Sequence, residues 1–184
     1  RELESRGARL IPTLWLDTVT AAMATEAFDT LRSDNLVFKR QVGAGASGQH
    51  RLARGEDIPV MPHPMMAQPF LSTIQSEGEC SYVFIDGELS HCLIKRAARG
   101  DYRIQSAYGG IEERVTPSAR DHEAARAIIE MLGDVPLYGR VDMVRGDDGG
   151  LLLMELELIE PFLYPLQIDG LGDRIAAALL RRLT

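Results

Sequence analysis

Three observations in the sequence predict an α+β fold in two lobes. Segments with a strand pattern come in pairs joined by short turns, and segments with helical spacing of apolar residues lie between the pairs. A polar, proline-bearing stretch from Arg54 to Phe70 interrupts both patterns and marks a lobe boundary or hinge. Strands paired in hairpins form antiparallel sheets, so a doubly wound parallel sheet is not expected. The length of 184 residues suits one domain or two small lobes.

The first half of the chain begins with a predicted helix and a predicted strand. The segment LDTVTAAMATEAFDTLRSDN has helical spacing of its apolar residues, and Asp17 is its candidate N-cap. NLVFKR follows as a strand, and QHRL has the pattern of a strand that returns after a glycine-rich loop. These elements predict a small sheet with one helix packed on it.

The segment CSYVFIDGELSHCLI predicts a β-hairpin with its turn at residues 86–87, an Asp-Gly pair. Strict alternation of side chains from this turn sends Cys80 and Cys92 to opposite faces, so a disulfide between them is not expected. The same register puts His91 on the face of Tyr82. We therefore expect His91 to have a packing or hydrogen-bonded role rather than to act as a base.

The second half of the chain continues with helices on either side of another hairpin. The second strand of the first hairpin ends with Lys95 and Arg96, for which a contact with substrate or phosphate and a solvated strand end fit equally well. The helix SARDHEAARAIIEMLGD has Ser118 as its cap and Gly133 as its stop, and GDRIAAALLRRL forms the last helix.

Composition and charge exclude several classes of partner. The formal net charge is -7 and the Lys and Arg residues are scattered, so the basic patch of a nucleic-acid-binding protein is missing. No apolar run approaches the length that spans a membrane, and the N-terminus lacks the pattern of a signal peptide. We expect a cytoplasmic protein with neither a nucleic-acid nor a membrane partner.

Carboxylates stand among leucine and methionine in RVDMVRGDDGGLLLMELELIEP. A regular hairpin places Asp142, Glu155 and Glu157 on one face. In that register Asp142 faces Leu153, and Arg140 falls opposite Glu155. A solvated face explains alternating Glu equally well. Against that alternative, neighbouring carboxylates repel one another unless a cation neutralises them, and oxygen ligands suit Mg²⁺.

A glycine-rich stretch, KRQVGAGASGQHRL, is a candidate phosphate-binding loop. Lys39 precedes Gly43, Gly45 and Gly48, and Ser47 lies among them. The glycine spacing matches a dinucleotide-binding fingerprint, but no helical pattern opens after the last glycine. A hairpin loop whose N–H groups close over phosphates, with Lys39 as a point charge, is the better functional interpretation. A flexible turn is the simpler alternative.

The order of these motifs resembles the ATP-grasp superfamily, in particular the glutathione synthetase-like ligases. The resemblance rests on LVFKR with its glycine loop, AQPFLSTIQSEGECSYVFIDGE, RGDYRIQSAYGG and GRVDMV with LMELELIEP. It is strongest to a bacterial subset of carboxylate–amine ligase-like enzymes that includes the cyclo-ligase of D-cycloserine biosynthesis. It implies two α+β lobes with antiparallel sheets that hold nucleotide between them. Residues 1–67 would form the smaller lobe, 68–72 the hinge and 73–184 the larger lobe.

The resemblance implies a role for each matching position. The residues that would bind ATP are Lys39 and the loop residues Gly45, Ala46 and Ser47 at the phosphates, Gln68, Pro69, Phe70 and Leu71 at the adenine edge, and Glu79 at the ribose. Asp142, Glu155 and Glu157 would bind two Mg²⁺ ions, or Mn²⁺ in their place. Glu157 stands where the family usually has Asn. Arg103 would be catalytic, steadying the transferred phosphoryl group, and Gln105 replaces an Asn on the acceptor side.

The activity implied is that of an ATP-dependent ligase. A carboxylate or a ureido carbonyl of a small molecule would be phosphorylated and then attacked by an amine. Such ligases carry an additional N-terminal domain, so the resemblance also implies that this chain is a fragment of a longer enzyme. A homo-oligomer is compatible with the sequence. The alternative is a non-catalytic nucleotide-binding or interaction domain that keeps the ATP-grasp fold.

Overall fold

The computed structural model of the protein describes residues 1–43, 45–97 and 109–183. The chain divides into two compact units. The smaller unit is Ile11–Ser72, and the larger unit is Arg1–Leu10 together with Thr73–Thr184. Each unit combines an antiparallel sheet with helical structure, α2 in the smaller unit and several helices in the larger, so the predicted α+β class is confirmed. Among the described residues, no helix combines the length and the apolar character that crossing a bilayer requires.

Runs of one to three consecutive strands are separated by helices along the chain. The helices are α1 (Glu2–Ser5), α2 (Ala21–Thr30), α3 (Thr73–Ser76), α4 (Ala119–Glu130) and α5 (Leu171–Leu183), with a short 3₁₀ helix at Pro165–Gln167. The strands are β1 (Leu14–Leu16), β2 (Asn35–Arg40), β3 (His50–Ala53), β4 (Met65–Pro69), β5 (Glu79–Ile85), β6 (Glu88–Arg96), β7 (Ile111–Val115), β8 (Tyr138–Arg145) and β9 (Leu151–Glu157).

The smaller unit is a four-stranded sheet with α2 packed on one face. Its strand order is β1-β4-β2-β3, and every neighbouring pair is antiparallel. Phe28 of α2 packs with Leu36 and Phe38 of β2 in the core of this unit. The helix begins at Ala21, because the Oγ1 of Thr20 accepts a 3.2 Å hydrogen bond from the amide of residue 23. The cap is therefore Thr20 and not Asp17.

The larger unit is a five-stranded sheet with helices on both faces. Its strand order is β7-β6-β5-β8-β9. Ile128 and Ile129 of α4 pack with Tyr82 on one face, and Leu171 of α5 packs with Val83 on the other. The predicted cap of α4 is confirmed, since Ser118 Oγ accepts a hydrogen bond from the backbone amide of residue 121.

The first ten residues belong to the larger unit and not to the smaller lobe in which the sequence placed them. Leu10 forms a parallel bridge with Leu153, whose amide donates a 2.8 Å hydrogen bond to the carbonyl of Arg9. Ala8 is buried in the core beneath α4. The smaller unit in turn extends to Ser72. These are contacts between residues far apart in sequence, which the local pattern of the segment cannot reveal.

A β-bulge in the β5–β6 hairpin changes which residues share a face. Ile85 pairs with Glu88 as predicted, but the register shifts by one residue beyond Phe84, because β6 carries an extra residue there. Cys92 therefore lies opposite Tyr82, on the same face as Cys80. The expectation that the thiols face opposite sides is wrong, although both cysteines are free.

The same bulge moves His91 to the opposite face from Tyr82. His91 is 3% exposed, and its Nε2–H donates a 3.0 Å hydrogen bond to the carbonyl of Leu163. Its Nδ1 is 3.1 Å from Ser90 Oγ, which is the donor in this pair when the ring is neutral. His91 is thus a buried, hydrogen-bonded residue, as the sequence favoured, but on a different face from the one predicted.

A second bulge interrupts the β8–β9 hairpin. Asp142 pairs with Glu155, whereas the next residue, Met143, pairs with Leu153, so that Met154 is the extra residue of β9. The predicted pairs of Asp142 with Leu153 and of residue 140 with residue 155 are wrong. Leu153 packs in the core beneath α4. The odd-numbered leucines and the odd-numbered glutamates of β9 consequently face opposite sides of the sheet.

Candidate functional site

Three carboxylates converge on the face of the larger sheet opposite α4. Asp142 lies directly across from Glu155, and Glu157 is two residues further along β9. One oxygen atom from each of the three carboxylates lies within 4.8 Å of the others. Asp142 is 1% exposed, so its backbone and side chain are fixed within the sheet. The predicted grouping of the three acids is therefore present, although the strand register that produces it differs from the one expected.

Arg140 is the principal counter-charge of these carboxylates. Its Nη2 donates to Asp142 Oδ2 at 2.9 Å and also to Glu157 Oε1. Its Nε lies 3.1 Å and 3.0 Å from the two oxygens of Asp142. Its Nη1 donates to the carbonyl of Phe162 at 3.1 Å. With 7% exposure, the guanidinium is held in one orientation by acceptors on every side.

Lys95 is a second buried cation, and sequence reasoning left its environment undecided. It pairs across the β5–β6 ladder with Glu79, to which its ammonium forms an ion pair. The same Nζ lies 3.5 Å from Asp142 Oδ2. Lys95 is 7% exposed, whereas the neighbouring Arg96 is exposed and pairs with Glu113. The bulge in β6 is the reason that Lys95 faces the carboxylates.

Ser81 completes the surroundings of Asp142. It is fully buried on β5, opposite Asp142, and its hydroxyl donates a hydrogen bond to Asp142 Oδ1. Nothing in the sequence near Ser81 distinguished it from other serines, because its partner lies 61 positions away. Its role follows only from the pairing of β5 with β8.

Burial and like charges act together on the glutamates. Glu155 is exposed as a residue, but the neighbouring side chains withdraw water from its carboxylate, which raises its pKa, and the charges of Glu157 and Asp142 raise that pKa further. Burial also raises the pKa of Glu157, against the opposing effect of Arg140. Burial alone lowers the pKa of Lys95, but the charges of Glu79 and Asp142 outweigh it and raise that pKa. The glutamates thus lie where a further cation is favoured.

The donor set fits a divalent cation. The ionised cluster contains four carboxylates, Glu79, Asp142, Glu155 and Glu157, against the two cations Lys95 and Arg140, and so carries two excess negative charges. Carboxylate oxygens without nitrogen or sulfur ligands are the chemistry that Mg²⁺ prefers. Mg²⁺ binds oxygen at ~2.1 Å, and the three ligand atoms lie within 4.8 Å of one another, so they are close enough to be brought to one ion.

In the smaller unit, Lys39 and Gln68 share the face of the sheet opposite α2. Val37 pairs with Gln68, and Lys39 pairs with Met66 on the same two strands, so alternation places all four side chains on one side. Phe38 and Ala67, at the intervening positions, belong to the core beneath α2. The predicted phosphate and adenine residues thus meet on one surface of this unit.

Gln68 carries a buried acceptor without a donor. Its Nε2 donates to Thr13 Oγ1 at 2.8 Å, while its Oε1 accepts no hydrogen bond from the residues that the structure describes. The residue is 7% exposed. A buried amide oxygen without a donor costs free energy. It is suited to a ligand that brings an N–H group, as an adenine amino group does.

The segment from Pro69 to Leu71 has one backbone donor already engaged. The amide of Phe70 donates a 2.8 Å hydrogen bond to the carbonyl of Asn35, and proline has no N–H. Phe70 also lies under the guanidinium of Arg51, 3.6 Å from the ring centroid. The Leu71 N–H is therefore the backbone group of this segment that could donate a hydrogen bond to a ligand.

The glycine loop wraps around the side chain of Arg40. A Cβ on Gly48 would lie 2.6 Å from Arg40 Nε, and a Cβ on Gly43 would lie 3.4 Å from Arg40 Cβ. Gly48 has φ +69°, and Gly45 and Ala46 also have positive φ, 62° and 58°. The positive φ therefore favours glycine at 48, and any larger residue would also require the end of the Arg40 side chain to move. The loop residues Gly45 and Ser47 are exposed.

Two of the residues singled out from the sequence remain without a structural account. Arg103 and Gln105 lie outside the described residues. Glu79, expected at a ribose, is 4% exposed and forms the ion pair with Lys95 described above. Its ribose role stays a prediction, and it requires the second carboxylate oxygen to accept from the ligand while Lys95 keeps the first.

Two α+β units with antiparallel sheets, one with a lysine and a glycine loop and the other with converging carboxylates, define the ATP-grasp class of fold. No protein-family model matches the chain. The cycloserine biosynthesis protein DcsG of Streptomyces lavendulae is 34% identical over 131 residues, which cover 65% of this chain and 42% of that protein. The chain thus corresponds to less than half of the curated relative.

Comparison with solved structures supports the same class of fold. The crystal structure of D-cycloserine synthetase DcsG matches with a TM-score of 0.82 and 25% identity, over 100% of this chain and 68% of that one. ATP-grasp ligase PsnB complexed with precursor peptide PsnA2 and AMPPNP has a TM-score of 0.72 at 15% identity, over 100% and 57%. The D-alanine–D-alanine ligase of Bacillus anthracis complexed with ATP has 0.64 at 18%, over 98% and 64%. The chain belongs to the ATP-grasp superfamily.

Proposed function

We propose that the chain is the nucleotide- and metal-binding part of an ATP-dependent ligase. The observation that carries the proposal is the convergence of Asp142, Glu155 and Glu157, with Arg140 among them, on the sheet of an ATP-grasp fold. A solvated acidic face would not bury a guanidinium between its carboxylates, because burying charge costs free energy unless the charges are paired in a specific geometry. The burial of Arg140 among the carboxylates supports a binding site over a solvated acidic face.

Different residues would bind the phosphates, the adenine and the ribose of ATP. Lys39 and the backbone amides of Gly45 to Ser47 would contact the phosphates. The orphan Oε1 of Gln68 would accept from the adenine amino group, and the Leu71 N–H would donate to the ring. Each of these assignments, which the resemblance implies, matches a donor or acceptor of the chain with a group of the ligand. Glu79 would accept from the ribose hydroxyls.

Asp142, Glu155 and Glu157 would hold Mg²⁺, or Mn²⁺, together with the phosphates. Bound Mg²⁺ neutralises phosphate charge during phosphoryl transfer. Glu157, which stands where related ligases usually have Asn, adds one negative charge, and Arg140 offsets it through a direct hydrogen bond. The two excess negative charges of the cluster match one divalent cation, and a second ion would be balanced by phosphate charge.

The reaction we propose is phosphorylation of a carboxylate, or of a ureido carbonyl oxygen, followed by attack of an amine. The acceptor oxygen attacks the γ-phosphorus, the bond from that phosphorus to the β,γ-bridging oxygen breaks, and ADP leaves. The amine then adds to the activated carbon, and inorganic phosphate departs. Arg103 would donate hydrogen bonds to the transferring phosphoryl oxygens. Among the similar proteins, DcsG is a cycloserine biosynthesis protein and the ATP-grasp ligase PsnB was solved in complex with a precursor peptide.

Calorimetry with ATP in the presence and absence of Mg²⁺ tests the binding site. We expect Mg²⁺ to tighten ATP binding, because an ion held by the carboxylates would neutralise the charge of the phosphates. Equal affinity in both conditions would contradict the metal site as proposed. Asp147→Asn, which changes an exposed acid in the loop between β8 and β9, serves as the charge control.

Release of ADP tests the catalytic proposal. With the N-terminal domain that the resemblance implies present, Arg103→Ala should lower kcat by roughly 10²–10³-fold and leave ATP affinity nearly unchanged. Substrate-dependent turnover unaffected by the substitution would refute the role of Arg103. If no carboxylate or ureido substrate with an amine releases ADP, although ATP binds, the chain is the non-catalytic nucleotide-binding domain that the sequence left open.

A further inference from the structure

Every acceptor position of Asp142 is already occupied by a donor from the chain. Its Oδ1 accepts from Ser81 and from Arg140 Nε, and its Oδ2 accepts from Arg140 Nε and Nη2 and lies 3.5 Å from Lys95 Nζ. A carboxylate offers about four lone-pair sites in total. A metal ion that binds Asp142 must therefore displace at least one of these donors.

The same guanidinium also occupies Glu157. Arg140 Nη2 donates to Glu157 Oε1 as well as to Asp142 Oδ2, so one group bridges two of the three candidate ligands. The third ligand, Glu155, accepts no hydrogen bond from any residue in the described part of the chain. Two ligands are thus held by cations of the protein, and a free metal ion finds a single open carboxylate.

We propose that Arg140 and Lys95 compete with divalent metal for these carboxylates, so that metal binds tightly only together with a polyphosphate that draws the two side chains away. A phosphate accepts bidentate hydrogen bonds from a guanidinium and pairs readily with an ammonium, so it offers Arg140 and Lys95 replacement partners. Once they turn to phosphate, Asp142 and Glu157 are free to bind the ion. The inference rests on the proposed function, since the polyphosphate is that of the nucleotide.

If Lys95 and Arg140 compete with metal, replacing either side chain by a neutral one should increase the affinity of the protein for the metal ion. Titration of the protein with Mn²⁺ alone, without nucleotide, measures this affinity through the paramagnetic signal of the free ion. Wild type should bind Mn²⁺ weakly, and Lys95→Gln should bind it about tenfold more tightly, because one positive charge a few ångströms from the ion is gone. Arg140→Met should show an effect at least as large, since it releases two ligands instead of one.

Two further variants separate this competition from simpler causes. Arg126→Met removes one positive charge from the exposed face of α4 and should leave Mn²⁺ affinity unchanged. Ser81→Ala removes a neutral donor from Asp142 and should raise affinity much less than Lys95→Gln. Thermal unfolding with and without Mn²⁺ establishes that each variant is folded, and Mn²⁺ should raise the melting temperature of Lys95→Gln more than that of wild type.

The outcomes distinguish the competition from the proposed function. Tight binding of Mn²⁺ alone by wild type, or equal Mn²⁺ affinity in wild type and Lys95→Gln, overturns the competition. If wild type binds Mn²⁺ with ATP but the variants gain nothing with Mn²⁺ alone, the proposed function stands and the competition is wrong. If wild type binds no Mn²⁺ even with ATP, the proposed function itself fails. Should Arg140→Met not fold, Lys95→Gln and the wild-type titration still decide.

Discussion

Asp142 and Glu155 face each other directly across the β8–β9 ladder, yet their surroundings differ completely. Asp142 is buried and saturated with donors, whereas Glu155 is exposed and meets mainly negative charge. The two residues would bind the same ion, although without metal the carboxylate of Asp142 is fully hydrogen-bonded and that of Glu155 is repelled by its neighbours. Substitutions that remove their charges should therefore have opposite effects on stability and the same effect on metal-dependent ATP binding.

Glu155→Gln should weaken Mg²⁺-dependent ATP binding while stabilising the protein without metal. The substitution removes a carboxylate that Glu157 and Asp142 repel. A higher melting temperature in metal-free buffer, together with a lower affinity for ATP in Mg²⁺, is the expected pair of results. An unchanged affinity for ATP would exclude Glu155 from the site.

Asp142→Asn should also weaken Mg²⁺-dependent ATP binding, but at a cost to stability. The neutral amide leaves Arg140 and Lys95 short of a buried partner, and breaking a buried ion pair costs about 3–5 kcal/mol. Urea unfolding should show the loss through a lower midpoint at an unchanged slope. A variant as stable as wild type would mean that Asp142 is not the main partner of these cations.

Gly48→Ala should disturb the glycine loop and reduce ATP affinity. The new Cβ would meet the guanidinium of Arg40 at 2.6 Å, and φ is +69° at this position. A non-glycine residue in this region costs about 1–2 kcal/mol. Gly55→Ala is the matched control, because Gly55 has φ +90° and nothing lies within 4 Å of its Cβ position.

The control and a second-site substitution make this prediction specific. Gly55→Ala should cost stability but leave ATP affinity unchanged. Arg40→Ala combined with Gly48→Ala should restore part of the stability lost through the clash. Equal ATP affinity in wild type and Gly48→Ala would show that the shape of the loop does not matter for the nucleotide.

His91 should make the protein less stable as the pH falls below about 6.5. Burial lowers the pKa of His91, so the unfolded chain takes up a proton at a pH where the folded protein does not. The contribution of His91 is therefore full above the unfolded-state pKa and is lost as the pH falls toward the folded-state pKa. Thermal unfolding of wild type and His91→Gln between pH 7.5 and about pH 5 tests this. An identical pH dependence in both would contradict it.

Asp86→Asn should loosen the C-terminal end of α5. The Asp86 carboxylate accepts from Arg181 Nη2 at 2.9 Å and from Arg182 Nη2 at 2.6 Å. Asn preserves the turn, since Asp86 has φ +53° and Asn tolerates that conformation. Faster amide hydrogen exchange in the last turns of α5, with little change in the β5–β6 hairpin, is expected. Unchanged exchange would show that packing alone holds this helix.

The sequence predicts part of this fold but not all of its strands, nor the register of its hairpins. The cap of α4 and the turn at residues 86–87 depend on local signals and were predictable. Strand β4 was missed, because it lies inside the proline-bearing stretch that was expected to interrupt the strand pattern, and it pairs there with β1 and β2. Strict alternation failed in both hairpins, because neither bulge has a sequence signature as strong as a glycine or proline. His91 and Leu153 were placed on the wrong faces for this reason alone.

The carboxylates of the candidate site could be predicted from the sequence, but their buried partners could not. Asp142, Glu155 and Glu157 stand out because charge in an apolar run is unusual. Lys95 and Ser81 lie at ordinary positions for a strand, and only the pairing of β5 with β6 and β8 brings them to Asp142. Long-range pairing of this kind has no local pattern that a single sequence displays.

The bulge at Met154 makes β9 tolerant of a change in length at one point. With Met154 deleted, a regular ladder would still pair Asp142 with the carboxylate of Glu155 and keep Leu153 in the core. A deletion of Leu156 would instead move Glu157 to the apolar side of the sheet. Homologous chains can therefore differ by one residue in this segment and present the same ligands, so an alignment without a gap at this point would match carboxylates with core leucines.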